Sequence, residues 1–190
     1  MKLGIILIGL VLALVSIKAV FASEHQPEGS GLVSSGQTHK YLGVKKCAMC
    51  HKSESKGNQY GKWLSSEHAK AYEILVTPQA QATAKKAGIS GNPQQAVACL
   101  KCHVTANGVE SSLLGEGFVK EDGVQCESCH GAGGDYASLS AMKDKDKAIG
   151  AGLVMPTEEV CVRCHNTDSP NFNGFNFKEY YPKIAHPVSK

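Results

Sequence analysis

Eight cysteines fall into four pairs of identical spacing, each followed at once by histidine: Cys47-Ala-Met-Cys50-His51, Cys99-Leu-Lys-Cys102-His103, Cys126-Glu-Ser-Cys129-His130 and Cys161-Val-Arg-Cys164-His165. Two thiols three residues apart can add to two vinyl groups on adjacent edges of a porphyrin, and the next residue then sets an imidazole beneath the iron. The pattern therefore predicts four covalently attached haem c groups with their iron. Zinc is the competing chemistry, since two such pairs could build a four-cysteine site. It gives no reason for a histidine directly after every pair. Disulfides would be ordinary for an exported chain, but a spacing that leaves no cysteine over argues for attachment.

Each iron has a second axial position, whose occupant decides between electron transfer and ligand chemistry. His25, His39, His68 and His186 are the remaining histidines. His68 shares an apolar helical stripe with Leu64, Ala71, Tyr72 and Leu75, where an unpartnered polar group would be costly. It is a candidate distal ligand, as is His186 in Lys183-Ile184-Ala185-His186-Pro187. His39 lies eight residues before Cys47, and His25 falls in leader sequence. A thioether is the alternative ligand, which brings in Met142; Met155 suits a core and Met49 sits inside an attachment loop.

Residues 57–88 have helical periodicity interrupted by Pro78, with a second helix over 79–86. Asn107-Gly108 and Asp122-Gly123 are turn signals that would allow one short hairpin between Val104 and Val124. Residues 138–148 predict a short helix. Pro156-Thr157-Glu158-Glu159 predicts a helix start carrying Cys161 and Cys164, and 171–190 reads as a tail over the surface. The fold class is mainly α: helices and long loops wrapped around four closely packed c-type haems. With one Trp, five Phe and 20 Gly, the polypeptide has few residues for a conventional core, so the porphyrins must supply much of the buried apolar surface.

Met1-Lys2, an uncharged run over 3–17, Lys18 and Ala19-Val20-Phe21-Ala22 predict a signal peptide over 1–22 cleaved after Ala22, hence a periplasmic or cell-surface protein. The run is short of the roughly 20 residues of a membrane anchor. Residues 23–40 read as a flexible leader and 41–190 as the haem-binding domain. Of 20 basic residues, removal of Lys2 and Lys18 leaves 18 against 17 acidic ones, near +1, which shows no nucleic-acid footprint.

Gly43 to Leu75, Gly123-Val124-Gln125-Cys126-Glu127-Ser128-Cys129-His130-Gly131 and Glu159 to Pro170 resemble the tetrahaem cytochrome c-554 family. The resemblance implies His68 as distal ligand of the third haem (His130) and His186 of the fourth (His165). It also implies a first haem (His51) ligated from the loop after the third attachment site, and a second haem (His103) that can be open. No histidine lies between His130 and His165 here, and Met142 stands near the corresponding place. The expectation is thus a His51/Met142 first haem, with His39 as substitute. Function is expected to be electron carriage between redox partner proteins, with Lys45, Lys46, Lys52 and Lys101 guiding acidic partners. The alternatives are reduction of nitric oxide or a similar species at the His103 haem, and an oligomeric, haem-lined filament.

Overall fold

A computed structural model describes residues 39–186, all within one unit of the chain. Helices in it are short because the sequence stops each one quickly. α1 (Val44–His51), α4 (Val97–His103) and α5 (Cys126–His130) each end on the histidine of an attachment motif. Between them lie α2 (Gln59–Leu64) and α3 (Pro78–Lys86), and after them α6 (Leu139–Met142), α7 (Lys145–Gly150), α8 (Glu158–Cys161) and α9 (Phe177–Ile184). None exceeds nine residues, below the length at which an isolated helix holds in water. Tertiary contacts must therefore hold them.

The expected hairpin does not form. Residues 104–124 make loops and two 3-10 turns, Ser111–Leu113 and Lys120–Asp122, and the ladder among the described residues is reduced to a single bridge between Tyr41 and Leu114. The helical stripe from Leu64 to Leu75 is also interrupted. Ser65 and Ser66 turn their hydroxyls onto the carbonyls of Lys62 and Trp63 at 2.9 and 2.7 Å, competing with helix propagation. Turns follow until the 3-10 segment Glu73–Val76, so Ala71 and Leu75 are buried while Leu64 stays exposed.

Three further expectations are revised. The single helix over 138–148 is two, because the Asp144 carboxylate accepts from the backbone of Asp146 and Lys147 and starts a new helix. α8 carries Cys161 but stops before Cys164, which sits in the turn beyond. The tail contains α9, started by the Asn176 side chain accepting from Glu179 N. Pro182 is tolerated there near the C-terminal end, where only one ladder bond is lost. Its aromatic residues stack: Phe177 on Tyr181 at 4.8 Å, and Phe175 between His165 and Tyr180 at 4.9 and 5.6 Å.

The buried apolar set is small: Val44, Ala71, Leu75, Ala84, Val104, Ala132, Tyr136, Ala141, Ala148 and Val160. Larger apolar residues stay at the surface close to the attachment motifs, among them Met49, Val97, Val154 and Val162. Among the described residues no helix is long and apolar enough to cross a membrane. The signal peptide, most of the leader and His25 lie outside the described residues. His39 and Lys40, the last two residues of the stretch read as leader, take part in hydrogen bonds.

Candidate haem centres

A polar hub ties three of the four motifs together. Glu127, inside the third motif, is 2% exposed, and its carboxylate accepts from Leu42 N, Gly43 N and Gly133 N at 2.7–3.1 Å. The neighbouring Gln125, also buried, accepts from Val44 N at 2.7 Å and donates to Val119 O at 2.8 Å. These bonds satisfy donors at the start of α1 that the helix itself leaves orphaned, so the third motif caps the helix of the first. Thr105, two residues after His103, is buried as well. Its hydroxyl accepts from Gln125 N at 2.7 Å and lies 2.6 Å from Ser128 Oγ, joining the second motif to the third.

Within this frame the motifs pair in space. The thiols of Cys47 and Cys126 are neighbours close enough to perturb each other's ionisation, as are those of Cys102 and Cys164. Cys129 lies close enough to Cys161 and Cys164 to exchange electrostatic influence with both. A 3.0 Å ion pair between Lys101 and Asp168 fastens the second motif to the segment after the fourth. The third motif thus neighbours the first, the fourth and, through Thr105, the second, and the fourth neighbours the second.

Three of the four motif histidines have Nδ1 held by an oxygen: His51 by Gln59 Oε1 at 3.1 Å, His103 by Ala71 O at 2.5 Å and His130 by Val154 O at 2.9 Å. Such a bond fixes the tautomer and leaves Nε2 to coordinate a metal. Burial lowers the pKa of His68, His130, His165 and His186 below the ordinary imidazole value, reinforced by the facing imidazole for His68 and His186. All four are thereby biased to the neutral form that ligates iron.

Two histidine pairs face each other. The rings of His68 and His165 have centroids 6.1 Å apart, and those of His130 and His186 are 5.8 Å apart. Two imidazoles on opposite sides of one metal, each with a bond of about 2 Å, would have centroids roughly 6 Å apart. Each expected distal histidine thus has a motif imidazole as its ring neighbour, whereas the resemblance implied His130 for His68 and His165 for His186. His68 O accepts from Val124 N at 3.0 Å, which holds its main chain beside the third motif while its ring neighbours His165. α9 then delivers His186 to His130.

His39 and Met142 stand differently. His39 Nδ1 meets Asp135 Oδ2 at 2.5 Å, whereas Met142 ends the four-residue α6 and is 39% exposed. Of the lysines expected to guide partners, Lys45, Lys46 and Lys52 are exposed around the first motif, whose Cys50 and Met49 are exposed too. Lys101 is different, since its charge is paired with Asp168. Sequence reasoning missed Gln125, Glu127 and Thr105. The one available signal was a carboxylate placed between two attachment cysteines.

The donor set fits c-type haem: four thiol pairs spaced on one turn, neutral imidazoles with oriented rings, and apolar side chains gathered around the motifs. Comparison with known proteins agrees. Residues 46–131 match the family described as cytochrome c554 and c-prime. The chain is 32% identical over 144 residues to cytochrome c-554 of Nitrosomonas europaea, covering 66% of this chain and 57% of that relative's length. It also resembles the reduced-state structure of cytochrome c554 from Nitrosomonas europaea, with a TM-score of 0.50 and 25% identity over 76% of this chain and 78% of that one.

Proposed function

We propose that this chain, which belongs to the cytochrome c554 family over residues 46–131 and carries covalently bound c-type haem, is an electron carrier between redox partner proteins outside the cytoplasm. The observation that supports it most is the pair of histidine-on-histidine arrangements, because two strong nitrogen ligands leave an iron no position for substrate. When bound, haem iron supplies the one-electron change. The polypeptide would supply the rest: Cys47, Cys50, Cys99, Cys102, Cys126, Cys129, Cys161 and Cys164 would attach the groups, and His51, His103, His130 and His165 would ligate their iron. His68 and His186, the ring neighbours of His165 and His130, would be the second ligands of the fourth and third sites.

The hub at Gln125, Glu127 and Thr105 has the role of keeping the sites at fixed separation, so that ordering is built in before any electron arrives. Its bonds are internal to the protein, between groups already in place. Partners are read as acidic proteins drawn to Lys45, Lys46 and Lys52 around the exposed first motif.

A second reading, reduction of nitric oxide or a similar nitrogen species, applies to the His103 site, which the resemblance implies can be open. The optical and EPR spectra of the purified holoprotein, with its intact mass, test both. A mass four haems above the polypeptide and reversible reduction support the carrier. A colourless protein of bare polypeptide mass would overturn it. A high-spin signal that shifts when nitric oxide is added moves the second reading ahead. A single small species in ultracentrifugation removes the filament.

A further inference from the structure

We infer that His39, oriented by Asp135, is the distal ligand of the first site, opposite His51, in place of the methionine expected there. The inference rests on the haem-binding reading above.

Three observations carry it. His39 and its neighbours are held firmly: Gly134 N donates to Lys40 O at 2.9 Å, Tyr41 N donates to Leu113 O at 2.8 Å, and Glu127 clamps Leu42 and Gly43. The imidazole therefore enters from an anchored strand of chain. Its Nδ1 lies 2.5 Å from the Asp135 carboxylate, leaving Nε2 as the coordinating nitrogen. A carboxylate on the far nitrogen of a metal-bound histidine sets its tautomer and orientation and strengthens it as a donor. Gly152 makes room for the ring: a Cβ there would sit 3.4 Å from Nε2 and 3.5 Å from Cδ2. Nearly equal distances put that glycine against the ring face, clear of the direction in which Nε2 would bind.

The choice of iron follows from the partition of the sites. His165 and His130 already face His68 and His186, which leaves His51 and His103. The Glu127 carboxylate draws together Leu42 and Gly43, three and four residues after His39, and Gly133, two residues before Asp135. His39 and Asp135 thus belong to the paired first and third motifs. His103 rests on Ala71 and pairs with the fourth motif instead. The loop after the third attachment site, which lacks a histidine, contributes Asp135 and so acts through His39 as a positioning residue.

The test uses holoprotein with His39→Ala, Met142→Ala and Asp135→Asn, with haem content measured on each. His39→Ala should turn one of the four haems high-spin by EPR, and added imidazole should restore it to low-spin. Met142→Ala should leave the spin count unchanged. Asp135→Asn should keep that haem low-spin while raising the potential of one haem and leaving three in place. If Met142→Ala produces the high-spin haem, or His39→Ala leaves the spin count as it was with four haems bound, the assignment is overturned. Wild-type protein lacking four haems would instead sink the haem-binding reading itself.

Discussion

Replacing Glu127 gives a graded test of the hub. The carboxylate is 2% exposed and accepts three backbone N–H groups from two distant segments, Leu42 and Gly43 on one side and Gly133 on the other. Orphaning a buried donor costs about 1–3 kcal/mol, so Glu127→Ala with three donors would lose about 3–9 kcal/mol if none found water. The space left by the side chain is polar-lined and can admit a water with such partners, which argues for the lower half, about 3–6 kcal/mol. Glu127→Gln keeps one oxygen and should cost about 1–3 kcal/mol. Against a typical total of about 5–15 kcal/mol, the alanine variant is a serious loss and the glutamine variant a tolerable one. Urea unfolding of the holoproteins, followed in parallel by far-ultraviolet circular dichroism and by the Soret band, should rank wild type above glutamine above alanine. An alanine variant within about 0.5 kcal/mol of wild type, the ordinary range for a surface change, would refute the idea that this carboxylate joins the first motif to the third.

Thr105→Val keeps the shape but removes the acceptor for Gln125 N, so it should lower stability by about 1–3 kcal/mol in the same urea assay. Gly123→Ala should cost about 1–3 kcal/mol, since φ is +72° and the added Cβ would meet His68 O at 2.8 Å; a shifted low-spin signal should accompany the loss. His68→Ala and His186→Ala should each produce one high-spin haem, and the double variant two, as counted by EPR. Lys101→Ala should change stability by less than about 1 kcal/mol, because both Lys101 and Asp168 are exposed and solvent screens the pair.

The chemistry of this protein was legible in its sequence because an attachment motif is local. Five consecutive residues hold both thiols and the imidazole at a spacing that one helical turn realises, and α1, α4 and α5 do end on those histidines. The mainly helical class and the candidacy of His68 and His186 followed from periodicity, composition and the resemblance. Which motif ring each of those two histidines approaches did not follow, because His68 and His165 lie 97 positions apart and no local pattern relates them. Nor did the hub: Gln125 and Thr105 look like ordinary polar residues until long-range folding buries their side chains against the start of α1. Met142 suited the first site by position along the chain, yet only the tertiary structure brings a carboxylate to His39. Spacing selects which groups can bind iron, while the assignment of each distal ligand rests on contacts between segments that are remote in sequence and meet only when the chain is packed.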